Sequence, residues 1–389
     1  MKIARIVALA ALAQLAPAAA ANGSADSTRP VDLAICLDTS GSMNGLIDSA
    51  RQKIWAIVND LALAKPTPRL RVALLTFGND GHSPEKGWVA TDVPFTEDLD
   101  LVSQRLFALT TNGGTELVGR VVDAAIRELD WTKSPGTLKV LVVAGNESAD
   151  QDAEVPFRDA CRRAIGADVV VNSIYCGNPA DTLAPAWREV ATLADGQFAA
   201  IDQAAGTVAI ASPFDAEISA LGAKLNETYV PMGAAGAEGK SNQILQDSNA
   251  VAANAAVAAS RAQTKATELY RCSWDMVDAC RDGLVKIEDV KEADLPEALK
   301  KMTVEERKKH IGEMQAKRTA IQKSIAELSA KRDAFVAEET KKAAADTSRA
   351  FDHAVRQAIR SQAVAKGFSF PADGAAAVVS SSPGAPPVK

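Results

Sequence analysis

The chain has 389 residues, 47% hydrophobic and 24% charged, with 43 Lys and Arg against 49 Asp and Glu and a formal net charge of −6. That length accommodates two or three domains, and the composition is that of ordinary globular proteins rather than of disordered or fibrous ones. The acidic balance argues against nucleic acid as the main partner, and a 5% aromatic content with many Ala-rich stretches points to helix-heavy packing outside the first domain.

Residues 1–21 read as a secretory signal peptide: Lys2 and Arg5 start it, Ile6 to Leu15 is apolar, and Ala18 to Ala21 supplies small residues for cleavage. The apolar run is too short to cross a bilayer, and no later segment is both long enough and free of charge, so no transmembrane segment is expected. The mature chain is expected to be exported, periplasmic or secreted. Residues 22–30 form a polar linker.

Val31 to Leu37 is apolar except for Asp32, which predicts a buried strand. It ends in Asp38-Thr39-Ser40-Gly41-Ser42, and Leu46 to Leu63 follows with helical spacing until Pro66 and Pro68 stop it. Leu70 to Phe77 is the next strand, Trp88 to Phe95 an edge strand and Leu101 to Leu109 a short helix. Thr110-Thr111-Asn112-Gly113-Gly114-Thr115-Glu116 is a tight turn before helix Leu117 to Leu129. Strand Leu138 to Val143 leads into Ala144-Gly145-Asn146-Glu147, followed by helix Glu154 to Ile165, strand Asp168 to Tyr175, helix Ala184 to Ala194 and strand Gly196 to Ile201. Alternation at this spacing implies β-α-β units and an α/β fold with a doubly wound, mostly parallel sheet. Its central strands, covered on both faces, should be uniformly apolar.

Asp38, Ser40 and Ser42 then sit on a loop at the carboxyl end of a central strand, where ligands bind in open α/β sheets. One carboxylate and two hydroxyls at alternate positions are hard oxygen donors, suited to Mg²⁺, Mn²⁺ or Ca²⁺ rather than to zinc. The Asp-x-Ser-x-Ser pattern resembles the metal-ion-dependent adhesion site of von Willebrand factor type A domains, and the resemblance covers residues 31–210. Thr115 matches the family's second metal-site loop, Gly-Gly-Thr. Gly145 stands where the third loop of the family carries an Asp, so one carboxylate is lost, and Asn146 and Glu147 at the same strand end are candidate substitutes. The resemblance is to a bacterial exported subgroup, and it implies a protein partner that offers a carboxylate to the metal.

Residues 211–366 change character to an all-α region. Ala216 to Asn226 is helical, Thr228 to Gly239 reads as a loop and Lys240 to Tyr270 as one Ala-rich helix. Trp274, Val277 and Leu284 form an apolar cluster near a turn. Asp294-Leu295-Pro296-Glu297 puts Pro at a first helical turn, and Thr303-Val304-Glu305-Glu306 is a capping box. Val304, Ile311 and Ile325 share one heptad position, interrupted by Arg318 and Arg332; Met314, Ile321, Leu328 and Phe335 share another. This coiled-coil-like seam packs either on the Lys240 to Tyr270 helix or on a second copy in a homo-oligomer. Phe351 to Ala365 continues as helix, and residues 367–389 form a disordered tail.

The five cysteines are an odd number, so at least one stays free or bridges another chain. In an unbroken helix Cys272 and Cys280 would be about 12 Å apart, too far to bridge. The three His are scattered, which gives no support to zinc or His-based catalysis. The leading reading is a non-enzymatic binding module: a cation held by Asp38, Ser40, Ser42 and Thr115 accepts a partner carboxylate, with the C-terminal helices as spacer or oligomerisation element. A second reading is a structural envelope protein whose metal site has decayed at Gly145. A third is an aspartic-type hydrolase built on Asp38-Thr39-Ser40-Gly41, which lacks the second carboxylate loop that such enzymes need.

Overall fold

The computed structural model describes residues 29–45, 47, 55, 57–201, 210–342 and 347–370, and only the backbone at 340–342 and 347–355. The expected signal peptide, most of the expected linker and residues 371–389 of the expected tail lie outside the described residues.

Six strands form one sheet: β1 (Pro30–Asp38), β2 (Arg69–Phe77), β3 (Val89–Thr96), β4 (Leu138–Gly145), β5 (Val170–Tyr175) and β6 (Phe198–Ala200). Their order is β3-β2-β1-β4-β5-β6. All neighbours run parallel except β2 and β3, so Val89–Thr96 is the edge strand expected from its alternating pattern, and its pairing is antiparallel. The chain moves outward from β1 to β2 and then returns to place β4 on β1's other side. The crevice between the carboxyl ends of β1 and β4 is therefore the topological switch point.

Successive residues of the central strands face opposite layers, as a period of two requires. Val31, Leu33, Ile35 and Leu37 join one core, with Val140 and Val142; Ala34, Cys36, Leu141 and Val143 join the other. Asp32, the polar residue within β1 ahead of its terminal Asp38, is fully buried and bonded to Arg71 through two 2.9 Å contacts and to the Thr132 N–H at 2.6 Å.

The second core lies under α2 (Val118–Glu128), α3 (Phe157–Gly166) and α4 (Ala184–Thr192). The first lies under α1 (Leu99–Ala108), a helical stretch at 57–61, and helices from the far end of the chain. In chain order the far-end helices are α5 (Asp215–Asn226), α6 (Gly233–Ala253), α7 (Ala255–Lys265), the short α8 (Met276–Arg281) and α9 (Glu297–Lys300), the 39-residue α10 (Val304–Lys342) and α11 (Thr347–Ala365); α5, α7, α10 and α11 cover the first core, whereas Met276 and Val277 of α8 and Leu299 of α9 join a third cluster with Ile311 of α10. Ile218, Leu225, Ala259, Ile325, Ile359 and Phe368 are buried in the same cluster as the β1 and β4 side chains. The helical region is thus a layer on the sheet, not a spacer projecting from it.

Four expectations for this region are corrected. The Lys240 to Tyr270 helix breaks at Asn254, whose extended backbone and side chain cap α7 by accepting from the Val257 N–H at 2.9 Å. Gly236 and Gly239 lie within α6, not in a loop. A Cβ on Gly239 would come 2.4 Å from the Trp274 ring and one on Gly236 2.8 Å from Pro231, so these glycines serve close packing instead of turning. Leu284 is 74% exposed and leaves the cluster expected for it with Trp274 and Val277. Finally, residues 367–370 belong to the fold: Phe368 is buried, and Ser369 pairs with Lys65 through 2.8 Å backbone bonds.

The heptad seam of α10 is used inside the chain, chiefly against α5 and α8 and not mainly against the α6–α7 pair. Ile311 and Ile325 are buried, and Arg318 between them is buried too. Its guanidinium bonds Asp275 at 2.8 Å, Asp278 at 2.7 Å and the Thr228 carbonyl at 2.7 Å, and it stacks 3.9 Å from the centre of Tyr229. The capping box is present: Thr303 and Glu306 bond each other's backbone N–H groups at 3.3 and 2.8 Å. All five cysteines carry free thiols. No described helix is long and apolar enough to cross a membrane.

Candidate metal centre

Three segments converge at the switch point. The first is the turn after β1, a single 3₁₀ turn at Gly41–Met43. The last rung of the β1–β2 ladder is Thr39 N–H to the Phe77 carbonyl at 2.8 Å, and the small residues from Ser40 to Ser42 then turn the chain away. The second is the 110–116 loop, locked to the first by Gly41 N–H to the Gly113 carbonyl at 2.9 Å and Asn112 N–H to the Thr39 carbonyl at 3.0 Å. Gly113 has φ of +88°, and a Cβ there would come 2.6 Å from Asp80, so no other residue fits. The third is the end of β4, Gly145 to Glu147.

Asp38 and Ser40 are fully buried at the base of this crevice. Asp38 Oδ1 accepts from the Ser40 N–H at 2.8 Å, while its Oδ2 is buried and has no hydrogen-bond partner among the described residues. The Ser40 and Ser42 hydroxyls are 2.8 Å apart, and Ser42 Oγ donates to Asn146 Oδ1 at 3.0 Å. Thr115 is half-buried and its backbone bridges to Gly78, beside Asp38. The structure therefore brings Asp38, Ser40, Ser42 and Asn146 into contact and places Thr115 in the adjoining loop. The Glu147 side chain is half-buried nearby, and its carbonyl accepts from Trp187 Nε1 at 2.8 Å.

Burial pushes the Asp38 carboxyl up to about 7; the Ser40 amide and hydroxyl and, weakly, the Asn146 amide pull it down, and the Glu116 charge adds to the rise. Burial and Glu116 together raise Glu147 as well. Glu116, 4% exposed, accepts from Gln151 Nε2 at 3.2 Å. Reading the sequence by motif passed over Glu116; the available signal was a carboxylate directly after Gly-Gly-Thr.

A buried carboxylate oxygen with no partner is costly. The same turn carries the Ser40 and Ser42 hydroxyls and meets the Asn146 amide oxygen, all hard donors, while the Cys176 thiol lies close enough to feel the Asp38 charge. This donor set fits a hard divalent cation, which would satisfy Oδ2 and the hydroxyl lone pairs together. At Gly145 the fit is thinner: a Cβ would meet Asp38 Oδ2 at 3.1 Å and Trp187 Cη2 at 3.1 Å, so the indole ring fills the space beside β4 where a side chain would stand.

Residues 32–185 match the family model of the von Willebrand factor type A domain. The chain contains a VWA domain. The match to the family begins inside β1 and ends at the start of α4, enclosing all three loops of the site. Among solved structures, this chain is similar to proximal thread matrix protein 1 from the mussel byssus, with a zinc-occupied metal-ion-dependent adhesion site (15% identity, TM-score 0.35, 46% of this chain and 43% of that one). It is also similar to the SpRpn10 VWA domain (14%, 0.34, 46% and 98%) and to the pilus adhesin SpaC from Lactobacillus rhamnosus GG (14%, 0.35, 45% and 28%). The chain spans less than half the length of the byssus protein. No curated protein matches it.

Proposed function

We propose that this is an exported, non-enzymatic binding protein whose VWA domain holds one divalent cation, Mg²⁺, Mn²⁺ or Ca²⁺, and uses it to engage a carboxylate on a partner protein. The observation that carries the reading is the buried Asp38 Oδ2 at the switch point, beside Gly145 and without a hydrogen-bond partner among the described residues. Asp38 supplies the charge, Ser40, Ser42 and Thr115 supply neutral oxygens, and Asn146 orients Ser42 through its 3.0 Å bond. When bound, the cation supplies a Lewis acid with a coordination position left for the partner. Export rests on the signal-like pattern of residues 1–21.

The test is calorimetric titration with Mg²⁺ and Mn²⁺ of the wild-type chain and of Asp38→Ala, followed by capture of the partner with and without chelator. A saturable wild-type isotherm that the substitution abolishes is expected. Identical isotherms would place any site elsewhere.

One observation favours a second reading, a structural envelope protein with a decayed site: Trp187 crowds the position where the third loop would present its carboxylate. The two readings separate on thermal stability. A cation that binds the folded state raises its melting temperature in proportion to saturation, and a decayed site gives no shift.

A further inference from the structure

We infer that Glu116 supplies the second carboxylate of the cation site, from the β2 side of Asp38, in place of the one absent at Gly145. The inference deepens the metal-binding reading and rests on it. Three features of the structure carry it. Glu116 is buried at the base of the same crevice, where its only hydrogen bond among the described residues is to the neutral Gln151 amide. It is next to Asp38: one point, where a Cβ on Gly78 would stand, is 3.0 Å from Asp38 Oδ1 and 3.0 Å from Glu116 Cγ. Neither carboxylate forms an ion pair among the described residues, and Asp38 Oδ2 has no hydrogen-bond partner within bonding geometry among them.

Two buried carboxylates side by side without a basic residue are unfavourable unless a cation neutralises them. Elsewhere in this chain buried acids are given cations. Asp32 has Arg71, Asp100 has Arg261, Asp275 has Arg318 and Asp60 has Arg360. The Asp38–Glu116 pair departs from that pattern at the place where a divalent ion is wanted. Gly78 belongs to the same arrangement, since any side chain there would push the two carboxylates apart.

The test is Mn²⁺ titration of the full chain and of Glu116→Gln, with melting temperatures of both in chelator. Gln keeps the acceptor for Gln151 and removes only the charge. The dissociation constant is expected to rise at least tenfold, while melting in chelator is unchanged or rises as the repulsion with Asp38 is relieved. Equal Mn²⁺ affinity in the two chains would overturn the role of Glu116 and leave the metal site standing. No Mn²⁺ binding by the wild type would remove both. Should the variant fail to fold, the Glu116 carboxyl carbon resonance of the wild-type chain answers the question: a shift on Mg²⁺ addition is expected, and a resonance that stays fixed as the site fills would overturn the inference.

Discussion

Gly145 shows how much a single residue position decides here. Read in sequence, it is a missing carboxylate, and restoring it ought to tighten the site. In the structure, a Cβ at 145 meets Asp38 Oδ2 at 3.1 Å and Trp187 Cη2 at 3.1 Å, and the Trp187 ring is held in place by its 2.8 Å bond to the Glu147 carbonyl. Gly145→Asp should therefore lower the stability of the chelator-treated protein by about 1–3 kcal/mol through overpacking, read as a fall in the urea midpoint. Adding Trp187→Ala to that variant should recover tighter Mn²⁺ binding than Gly145→Asp alone, because the new side chain gains room. If the single variant melts like the wild type, the Trp187 contact is not limiting. Asp38→Asn is expected to behave in the opposite way in chelator: it keeps an acceptor for the Ser40 N–H and removes the buried charge, so melting should hold or rise while cation binding disappears.

At the scale of elements, the junction of α1 with α6 and α7 is ionic. Arg261 on α7 bonds Asp100 on α1 at 2.8 Å and Asp247 on α6 at 2.6 Å, and Lys265 one turn on bonds Asp247 at 2.6 Å. Tyr270 donates to the other Asp100 oxygen at 2.5 Å. Arg261→Met would strip the buried cation from the buried Asp100 and leave the half-buried Asp247 to Lys265 alone, and the expected cost is about 3–5 kcal/mol by urea denaturation. The same cluster sets a pH dependence. Burial by itself would push the Asp247 carboxyl up, but Lys265 and Arg261 outweigh it and hold the carboxyl below its ordinary value of 3.8. A carboxyl depressed in the folded state adds stability above its unfolded pKa and loses it as pH falls through the folded one. Melting temperature should therefore decline below about pH 4, and Asp247→Asn should flatten that decline. An acid limb unchanged by the substitution would assign it to other carboxylates. Sequence periodicity placed Ile311 and Ile325 on the inner face of α10. That Arg318 between them is buried with Asp275 and Asp278 was not legible, because a heptad pattern carries no information about acids contributed by a different helix.

For the whole molecule, one apolar cluster runs from Leu33 and Ile35 of β1 through Leu225 and Ala259 to Ile325 and Ile359. The VWA sheet and the C-terminal helices share that core, and α11 is further tied to β5 through Gln362 with Asn172 and to the helical stretch at 57–61 through Arg360 with Asp60. Differential scanning calorimetry of the full chain is expected to give one transition with equal calorimetric and van't Hoff enthalpies. Two resolved transitions would mean that sheet and helices fold as separate units. A chain ending at residue 210 should expose the β1 and β4 face, bind a hydrophobic dye and melt well below the full chain.

What the sequence determined by itself was everything governed by local pattern. The uniformly apolar runs around Ile35 and Val142, their alternation with helices, and the small, oxygen-bearing residues from Asp38 to Ser42 and around Thr115 specify an α/β sheet with a ligand loop at its carboxyl end. These signals survive in one dimension because strand periodicity and turn chemistry act over a few residues. The tertiary structure decided what depends on contact between distant segments: that residues 215–370 cover a face of the sheet, that α6 and α7 part at Asn254 so that Arg261 can reach Asp100, that Trp187 occupies the space beside Gly145, and that Glu116 is buried against Asp38. Burial and electrostatic pairing set each of these outcomes, and both arise only when chain segments far apart in sequence come within a few ångströms of one another.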